Sequence, residues 1–373
     1  MHAALLIIIL CWPAPCQSRQ VNDATSRFNR AAELQRQGEW QAAAAEYRAL
    51  LSVRPDYAEA QANLGVVLAR LGRDEEAIAA YEAALRLNPQ LTPIWLNLGI
   101  LHYRAGQFAG AADALERFLR SAPEHAQARQ LMGISLVELG RDAEAVTYLE
   151  PLLSAPQAEA AALYSLGLAY LRLHRAEVAG VVERLAARAD GAALARLLQG
   201  QAWLEDFAFE RAASELEAAA RLAADLPRVQ FLLGLAYFKL GRTEQARAQF
   251  EGELKRTPDD FLTLYYLASL LEKQSELGAA RQRIEVALRQ EPQSVEALSL
   301  AGSIMLKQGQ AAEAVRALEQ AVAKRPEDSE ARYLLARGYQ KLGRTQEAAR
   351  EFAEVERLKA QAREREKERK PNP

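Results

Sequence analysis

Apolar residues recur along the chain at the spacing of an amphipathic helix, in paired segments of about a dozen residues each. In the clearest pair the two segments are separated by Gly72, and glycine takes the left-handed conformation that ends a helix. The pattern therefore predicts a hairpin of two helices with Gly72 in its turn. The apolar positions of this pair are Leu64, Leu68 and Leu71 in the first segment and Ile78, Tyr81 and Leu85 in the second.

The hairpin pattern repeats with a period of 34 residues, which is carried by proline, glycine and alanine at fixed positions. Two of these columns contain one step of 33 residues, and together they place a single deletion between Ala179 and Gly200. Ten repeats result, which start near residues 24, 58, 92, 126, 160, 193, 227, 261, 295 and 329. The proline column is Pro55, Pro89, Pro123, Pro258, Pro292 and Pro326, and the turn glycines are Gly38, Gly72, Gly106, Gly140, Gly241, Gly309 and Gly343.

A further column of small residues lies in the first segment of every repeat. A small residue lets two helices cross closely, whereas a larger side chain there would overpack the contact at a cost of about 1–3 kcal/mol. Each hairpin is therefore expected to bury its apolar face against its neighbours along the array. The column is Ala31, Gly65, Gly99, Gly133, Gly167, Gly200, Gly234, Ala268, Gly302 and Ala336.

These repeats resemble the tetratricopeptide repeat family over roughly residues 24–358. The resemblance is carried by Trp95-Leu96-Asn97-Leu98-Gly99 and by Leu233-Gly234-Leu235-Ala236-Tyr237 with Gly241, Ala246, Phe250 and Pro258. It implies an all-α fold, an α-solenoid of tandem helix-turn-helix repeats that forms a right-handed superhelix. It also implies that the first helices line a concave face and that this face binds other proteins.

The fifth repeat departs most from the pattern. It has His174 in the turn, Glu183 at an otherwise apolar position and the one-residue deletion, while Phe207 occupies the turn of the sixth repeat. Pro151 falls within the second helix of the fourth repeat, which predicts that this helix ends or kinks near Glu150. Residues 150–192 are therefore a candidate break in curvature, with sequence drift under weak constraint as the alternative.

The N-terminus has the features of a signal peptide. Residues 3–12 are apolar, too few for the ~20 residues that span a bilayer, and Pro13-Ala14-Pro15-Cys16 follows as a small-residue exit. We therefore predict a signal peptide over residues 1–16, a short lead over 17–23, and export to the periplasm or the extracellular space. A buried N-terminal segment in a cytoplasmic protein and a lipid anchor on Cys16 are the alternatives.

The C-terminal residues 359–373 are strongly charged and of mixed sign, in a run that begins near Arg357 and ends at Lys370. Mixed charges at helical spacing predict a solvated helix that caps the last repeat, followed by a frayed tail. A docking tail for a partner is the alternative.

Composition argues against several classes of function. Lys and Arg total 47 against 49 Asp and Glu, so the chain lacks the basic excess typical of nucleic-acid binding. Four His and two Cys leave little material for metal sites, and we find no phosphate loop, HExxH helix or nucleophile elbow. We therefore predict no enzyme activity, no cofactor, no metal and no nucleic acid. His102 is interpreted as a core residue.

The outward face of the first helices is the candidate binding site. Asn29, Asn63 and Asn97 recur there at 34-residue steps, and a row of amides can bond an extended peptide backbone. Further along, the same face becomes apolar, which favours an apolar or amphipathic partner segment unless winding of the array buries the strip. The apolar candidates are Ile134, Leu168, Leu171, Leu197, Phe231, Leu235, Phe238, Tyr265 and Tyr266.

Together these features predict a non-enzymatic scaffold or adaptor of the cell envelope. Its expected partners are proteins that lay peptide or amphipathic helix segments in the concave groove, and no transmembrane segment is expected after signal cleavage. Two alternatives remain open. One is a recruitment or regulatory module for a separate envelope enzyme, such as a glycosyltransferase or peptidase, and the other is a structural array that assembles by self-stacking.

Overall fold

The computed structural model describes residues 16–155 and 158–369. These residues form twenty α-helices and one short 3-10 helix, and no strand occurs among them. The all-α prediction is thereby confirmed. The proposed signal peptide lies outside the described residues apart from Cys16, which begins the first helix.

The chain divides into two compact units, the first ending at Gly191 and the second beginning at Ala192. The N-terminal unit contains α1 (Cys16–Arg36), α2 (Trp40–Val53), α3 (Ala58–Arg70), α4 (Asp74–Leu87), α5 (Thr92–Arg104), α6 (Phe108–Leu119), α7 (Ala126–Glu138), α8 (Asp142–Leu149), a 3-10 helix (Glu150–Ser154), α9 (Ala160–Arg172) and α10 (Val178–Ala186). The C-terminal unit contains α11 (Ala192–Glu205), α12 (Phe209–Leu222), α13 (Val229–Lys239), α14 (Thr243–Arg256), α15 (Phe261–Lys273), α16 (Leu277–Gln290), α17 (Val295–Lys307), α18 (Ala311–Lys324), α19 (Ser329–Lys341) and α20 (Thr345–Arg369).

Each repeat is a helical hairpin, as the sequence period predicts. From the second repeat onward, every first helix begins within two residues of the expected repeat start, as at Ala58, Thr92 and Ser329. The two helices of a hairpin contact each other, and within each unit second helices also contact the next first helix, as α2 contacts α3. Each unit is therefore a stack of hairpins whose apolar faces are covered by their neighbours.

The two ends of the array differ from the predicted boundaries. The expected lead over residues 17–23 is part of α1, and residues 359–369 continue α20 without a break. The physical reason is the same at both ends, because neither helix contains a glycine or proline that would stop it. The charged C-terminal segment is therefore an extension of the tenth repeat's second helix.

At the small-residue position of a first helix, one large side chain from the second helix of the same repeat packs against the backbone. A Cβ added at Gly65 would lie 2.5 Å from the ring of Tyr81, and one added at Gly234 would lie 2.7 Å from the ring of Phe250. Both rings are essentially fully buried. The close crossing that this column predicts is therefore present, and at these two glycines it leaves no room for a methyl group.

The turns between paired helices require a left-handed residue. All seven predicted turn glycines have φ between 69° and 82°, as expected from their freedom to adopt positive φ. In the fifth, sixth and eighth repeats His174, Phe207 and Ser275 adopt the same conformation at φ of 53°, 56° and 63°. The turn geometry is thus common to the repeats, and three of them maintain it without glycine.

The fourth repeat is interrupted where proline predicts it. Helix α8 ends at Leu149, and a 3-10 helix from Glu150 to Ser154 contains Pro151. The unit boundary at Gly191 coincides with the end of the divergent stretch 150–192.

Three junctions between consecutive repeats share one polar arrangement. The hydroxyl of Tyr237 donates a hydrogen bond of 2.7 Å to Glu217 in the preceding repeat, and the Arg242 guanidinium lies 5.9 Å from the centre of the tyrosine ring. Burial and this hydrogen bond raise the pKa of Tyr237 to about 12. The arrangement recurs as Glu150, Tyr170 and Arg175 and as Glu319, Tyr339 and Arg344.

Replacing Gly234 by alanine tests the close crossing. We expect Gly234→Ala to lower the free energy of unfolding by about 1–3 kcal/mol, because the added Cβ overlaps the buried Phe250 ring. The matched control is Gly278→Ala in α16, where a Cβ meets nothing within 4 Å. Urea denaturation of both variants measures the difference, and equal stability of the two would contradict the packing argument.

Candidate functional site

The first helices of each unit present a face that lies opposite their packed side. In the N-terminal unit this first-helix face is defined by Asn97, Ile100 and Arg104 of α5 and the equivalent positions of neighbouring repeats. A cavity of about 300 Å³ lies on it between α3 and α5. Arg70 and Arg104, the last residues of α3 and α5, contribute to its lining.

The asparagine column is not free for a ligand along its whole length. Asn63 interacts with the hydroxyl of Tyr47, and Asn97 with that of Tyr81, each tyrosine belonging to the preceding repeat. Burial raises the pKa of Tyr81 to about 12, and the amide of Asn97 opposes that rise. Asn29 is exposed. Two of the three predicted amides therefore also support the contact between repeats.

Several predicted apolar site residues belong to the core instead. Ile134, Leu171, Leu197 and Phe231 are at most 9 % exposed, so the expected open strip is wrong at these positions. The reason is that a first helix is flanked by other first helices as well as its own partner, as α7 is by α5 and α9. Leu168 and Leu235 are half-buried.

The predicted aromatic residues of the C-terminal unit do come together. The ring of Tyr266 lies 6.0 Å from that of Phe231, 5.6 Å from that of Phe238 and 5.3 Å from that of Tyr265. Lys273 Nζ lies 4.4 Å from the centre of the Phe238 ring. Phe238, Tyr265 and Tyr266 remain half-buried, so the cluster joins the core to the first-helix face.

Beside this cluster lies the C-terminal groove, which crosses α15, α17 and α19. It consists of a cavity of about 280 Å³ and a second of about 170 Å³, which share Ser303 and Leu334. The walls of the groove carry hydroxyl and charged groups, whereas the sequence predicted an apolar strip on this face. The residues that define the groove are Tyr265, Ser269, Glu272, Lys273, Glu296, Ser299, Leu300, Ser303, Leu306, Lys307, Asp328, Glu330, Leu334, Arg337 and Lys341.

The C-terminal groove is acidic at one edge. Glu296 and Glu330 lie in the first turns of α17 and α19, and Asp328 caps α19 by accepting hydrogen bonds from two backbone N–H groups. A hydrogen bond from the backbone and the Arg325 guanidinium at 2.8 Å lower the pKa of Glu296. The helix N-termini favour negative charge at this edge of the groove.

The opposite edge is basic, because the first helices end there. Lys307 forms an ion pair of 2.8 Å with Glu272, and Lys341 donates to the carbonyl oxygen of Leu306. Arg337 is exposed between them. The groove therefore has opposite charges at its two ends, and serine hydroxyls and Tyr265 lie between.

Sequence reasoning missed most of the groove, although a signal was available. Ser269 and Ser303 are 34 residues apart, as are Glu296 and Glu330, so the same period places polar side chains in this face.

Within residues 16–155 and 158–369 no group of three or more His, Cys, Asp or Glu is placed to hold a metal ion. No helix in that part of the chain combines the length and apolar character needed to cross a membrane.

Stacked hairpins with an open first-helix face define a helical repeat protein of the interaction-scaffold class. Models described as tetratricopeptide repeat match residues 64–134, residues 28–92 and 231–295, and residues 102–169 and 305–365. Together these matches cover more than half of the chain, which belongs to the tetratricopeptide repeat family. Proteins of this family commonly bind other proteins and are generally not enzymes.

Solved structures of similar fold include the crystal structure of the APC/C hetero-tetramer Cut9-Hcn1. That match has a TM-score of 0.55 and 15 % identity, and covers 92 % of this chain and 82 % of that chain. MamA 41-end from Desulfovibrio magneticus RS-1 is 24 % identical over 45 % of this chain and 96 % of its own, with a TM-score of 0.43. The comparison with curated protein sequences returns no match.

Substituting two members of the asparagine column separates structural from exposed amides. We expect Asn97→Ala to lower the free energy of unfolding by about 1 kcal/mol, because the hydroxyl of Tyr81 loses its amide neighbour. Asn29→Ala, in the same column but exposed, is the control and should leave stability within about 0.5 kcal/mol. Thermal unfolding followed by circular dichroism measures both, and an equal effect at the two positions would refute the assignment.

Proposed function

We propose that the chain is a non-enzymatic scaffold that binds a segment of a partner protein in the C-terminal groove. The family supports the general role of binding proteins. The observation that carries the particular site is the separation of charge across α15, α17 and α19, with Glu296 and Glu330 at one edge and Lys307 and Lys341 at the other. Complementary charges fix the direction of a bound segment more than they add to its affinity.

The groove specifies the chemistry of the segment. Basic side chains at one end of the segment face the acidic edge, and acidic side chains at the other end face the basic edge. Between them the hydroxyls of Ser269 and Ser303 offer hydrogen bonds, while Tyr265 and Leu334 offer apolar contact. An extended or helical segment that carries basic and acidic residues at opposite ends meets these requirements.

The groove can be probed without disturbing the core. Phe231 is unsuitable for charge substitution because it is only 4 % exposed, whereas Glu296 and Glu330 are exposed on α17 and α19. Leu334 is half-buried and lines both cavities of the groove, so a photo-crosslinking residue in its place reports occupancy of the groove in the native host. The same residue at the exposed Leu222, which ends α12, reports contacts elsewhere.

Charge reversal at the acidic edge tests the proposal. We expect Glu296→Lys/Glu330→Lys to reduce capture at Leu334 about tenfold, because each reversal costs roughly 0.5–1 kcal/mol. The matched control is Glu251→Lys/Glu285→Lys, which makes the same change at the same 34-residue spacing on the second helices. Capture that is unchanged in Glu296→Lys/Glu330→Lys, or capture from Leu222 that is as strong as capture from the groove, would contradict the groove as the binding site.

The captured chain distinguishes the alternatives. A partner with basic residues against the acidic edge supports the scaffold, and a charge swap in that partner should restore capture by Glu296→Lys/Glu330→Lys. An enzyme of the cell envelope as partner gives the scaffold a recruitment role. A second copy of this chain identifies self-stacking and contradicts the proposal of a separate partner.

We further propose that the chain is exported and that its mature form begins at Gln17. The support is the apolar run of residues 3–12 and the small-residue exit that ends at Cys16. Intact mass of the protein from separated cell fractions is the measurement. A chain that begins at Gln17 outside the cytoplasm supports the proposal. A lipidated chain that begins at Cys16 supports export but contradicts the proposed start, and a full-length chain retained in the cytoplasm refutes export.

A further inference from the structure

A second cavity of the N-terminal unit lies away from the first-helix face. It measures about 510 Å³ and is formed by α4, α5 and α6, with Trp95, Leu98 and His102 contributed by α5. At 100° per residue, these positions lie on the opposite side of α5 from Asn97 and its equivalents. This cavity is therefore a different site from the cavity between α3 and α5 and from the C-terminal groove.

The cavity replaces an ion pair that other repeats have at the same register. In the sixth repeat Arg196 and Glu215 lie 2.7 Å apart, and in the tenth Arg332 and Glu351 lie 2.6 Å apart. The third repeat has Trp95 and Ala114 at these two positions. The indole of Trp95 thus stands in place of the arginine, and the methyl group of Ala114 in place of the glutamate. The space that the glutamate side chain fills in the sixth and tenth repeats is open in the third.

Two further departures of the third repeat enlarge the same space. His102 stands where the other repeats have leucine, methionine, tyrosine or tryptophan, and it lines the cavity instead of belonging to the core as the sequence suggested. Gly110 is the one glycine at its position among the ten repeats, and a Cβ there would lie 3.1 Å from the His102 ring. Trp95, His102, Gly110 and Ala114 therefore act on a single site.

The lining combines an apolar floor with planar walls. Leu85, Leu98 and Ala114 are buried beneath the cavity, and the Arg117 guanidinium lies 4.8 Å from the centre of the Trp95 ring. Such surroundings favour a planar ring as ligand, because stacking on aromatic and guanidinium planes adds to the free energy gained from burying apolar surface.

The rim of the cavity carries balanced charges. Arg86 lies 3.9 Å from Glu82, and Arg117 lies 3.2 Å from Asp113, so each guanidinium has a carboxylate partner. Equal numbers of positive and negative groups give the site no preference for a charged ligand. An uncharged ring is the occupant that this rim fits.

His102 adds one directional contact. Its Nδ1 lies 2.6 Å from the side-chain oxygen of Gln107, a contact that the tautomer with its proton on Nδ1 satisfies. In that tautomer the other nitrogen, Nε2, accepts a hydrogen bond. A ligand with one N–H or O–H group matches it.

We propose that this cavity binds an uncharged planar aromatic ring that bears one hydrogen-bond donor, such as an indole or a phenol. Its volume of about 510 Å³ is within the range of small-ligand sites, about 300–1,000 Å³. The ring is supplied either by a tryptophan or tyrosine side chain of a protein or by a free aromatic compound. The chemistry at the site is the same in both cases.

Titration calorimetry on the full chain tests the proposal with defined probes. N-acetyl-tryptophanamide and N-acetyl-tyrosinamide represent side chains within a protein, indole and phenol represent free compounds, and N-acetyl-leucinamide is the aliphatic control. We expect dissociation constants on the order of 0.1–1 mM for the aromatic probes. Equal affinity of amides and free rings assigns the site to protein side chains, and binding of the free rings alone assigns it to small compounds.

Two variants close the cavity in different ways. Trp95→Arg/Ala114→Glu installs the ion pair of the sixth and tenth repeats, and Gly110→Ala intrudes on His102 without altering Trp95. We expect both to weaken aromatic binding at least about tenfold while the helical circular dichroism spectrum is retained. Arg104→Glu, on the opposite side of α5, is the control and should leave binding unchanged.

Three results would overturn the aromatic site. They are absence of heat with every aromatic probe, binding of the leucine derivative as tight as that of the tryptophan derivative, and unchanged affinity in both cavity-closing variants. None of these results bears on the C-terminal groove, because the probes contain no charged segment and the variants lie in the other unit. The two proposals therefore succeed or fail separately.

Discussion

The close approach of two helices at one small residue is the constraint on which every repeat depends. At Gly99 and Gly302, as at Gly234, the side chain inserted from the second helix leaves less than van der Waals distance for a Cβ. This contact sets the separation of the paired helices, and the left-handed turn residue sets the point where the chain reverses. Hairpins of one geometry can then be stacked, since each offers its neighbour the same surface.

Stacking uses the inner surfaces of the hairpins, so function is left to the positions that it does not fix. The first-helix face and the side of α5 that carries Trp95 are two such surfaces. On the first, the helix ends impose opposite charges at the two edges of the groove, because acids favour N-termini and bases favour C-termini. On the second, the side chains of the third repeat leave a space at the register where the sixth and tenth repeats have an ion pair. A regular scaffold thus acquires specific sites through local departures from its own repeat.

How far the sequence predicts this structure depends on whether a feature is local. The repeat starts and the end of α8 before Pro151 follow from turn and helix-breaking residues, which act within a few positions of themselves. The exposure of a side chain does not follow from such local signals, since Ile134 and Phe231 are buried by helices from neighbouring repeats. The two end helices exceed their predicted bounds because neither contains a glycine or proline that would stop it. The cavity beside Trp95 was hidden because it is formed by three helices at once.

The tyrosine junctions imply that neighbouring repeats are not coupled equally along each stack. In a linear array, stability is a sum of the hairpins' own stabilities and the contacts between nearest neighbours. Where Tyr170, Tyr237 or Tyr339 is hydrogen-bonded to a carboxylate, separating the two hairpins leaves both groups to be rehydrated and releases the overlying arginine. Other junctions combine apolar contact with a neutral tyrosine–amide contact, as between Tyr81 and Asn97, or with a more exposed ion pair, as between Arg247 and Glu276, and these polar contacts are weaker. Cooperative segments therefore extend across the tyrosine junctions, and fraying or shear concentrates at the others.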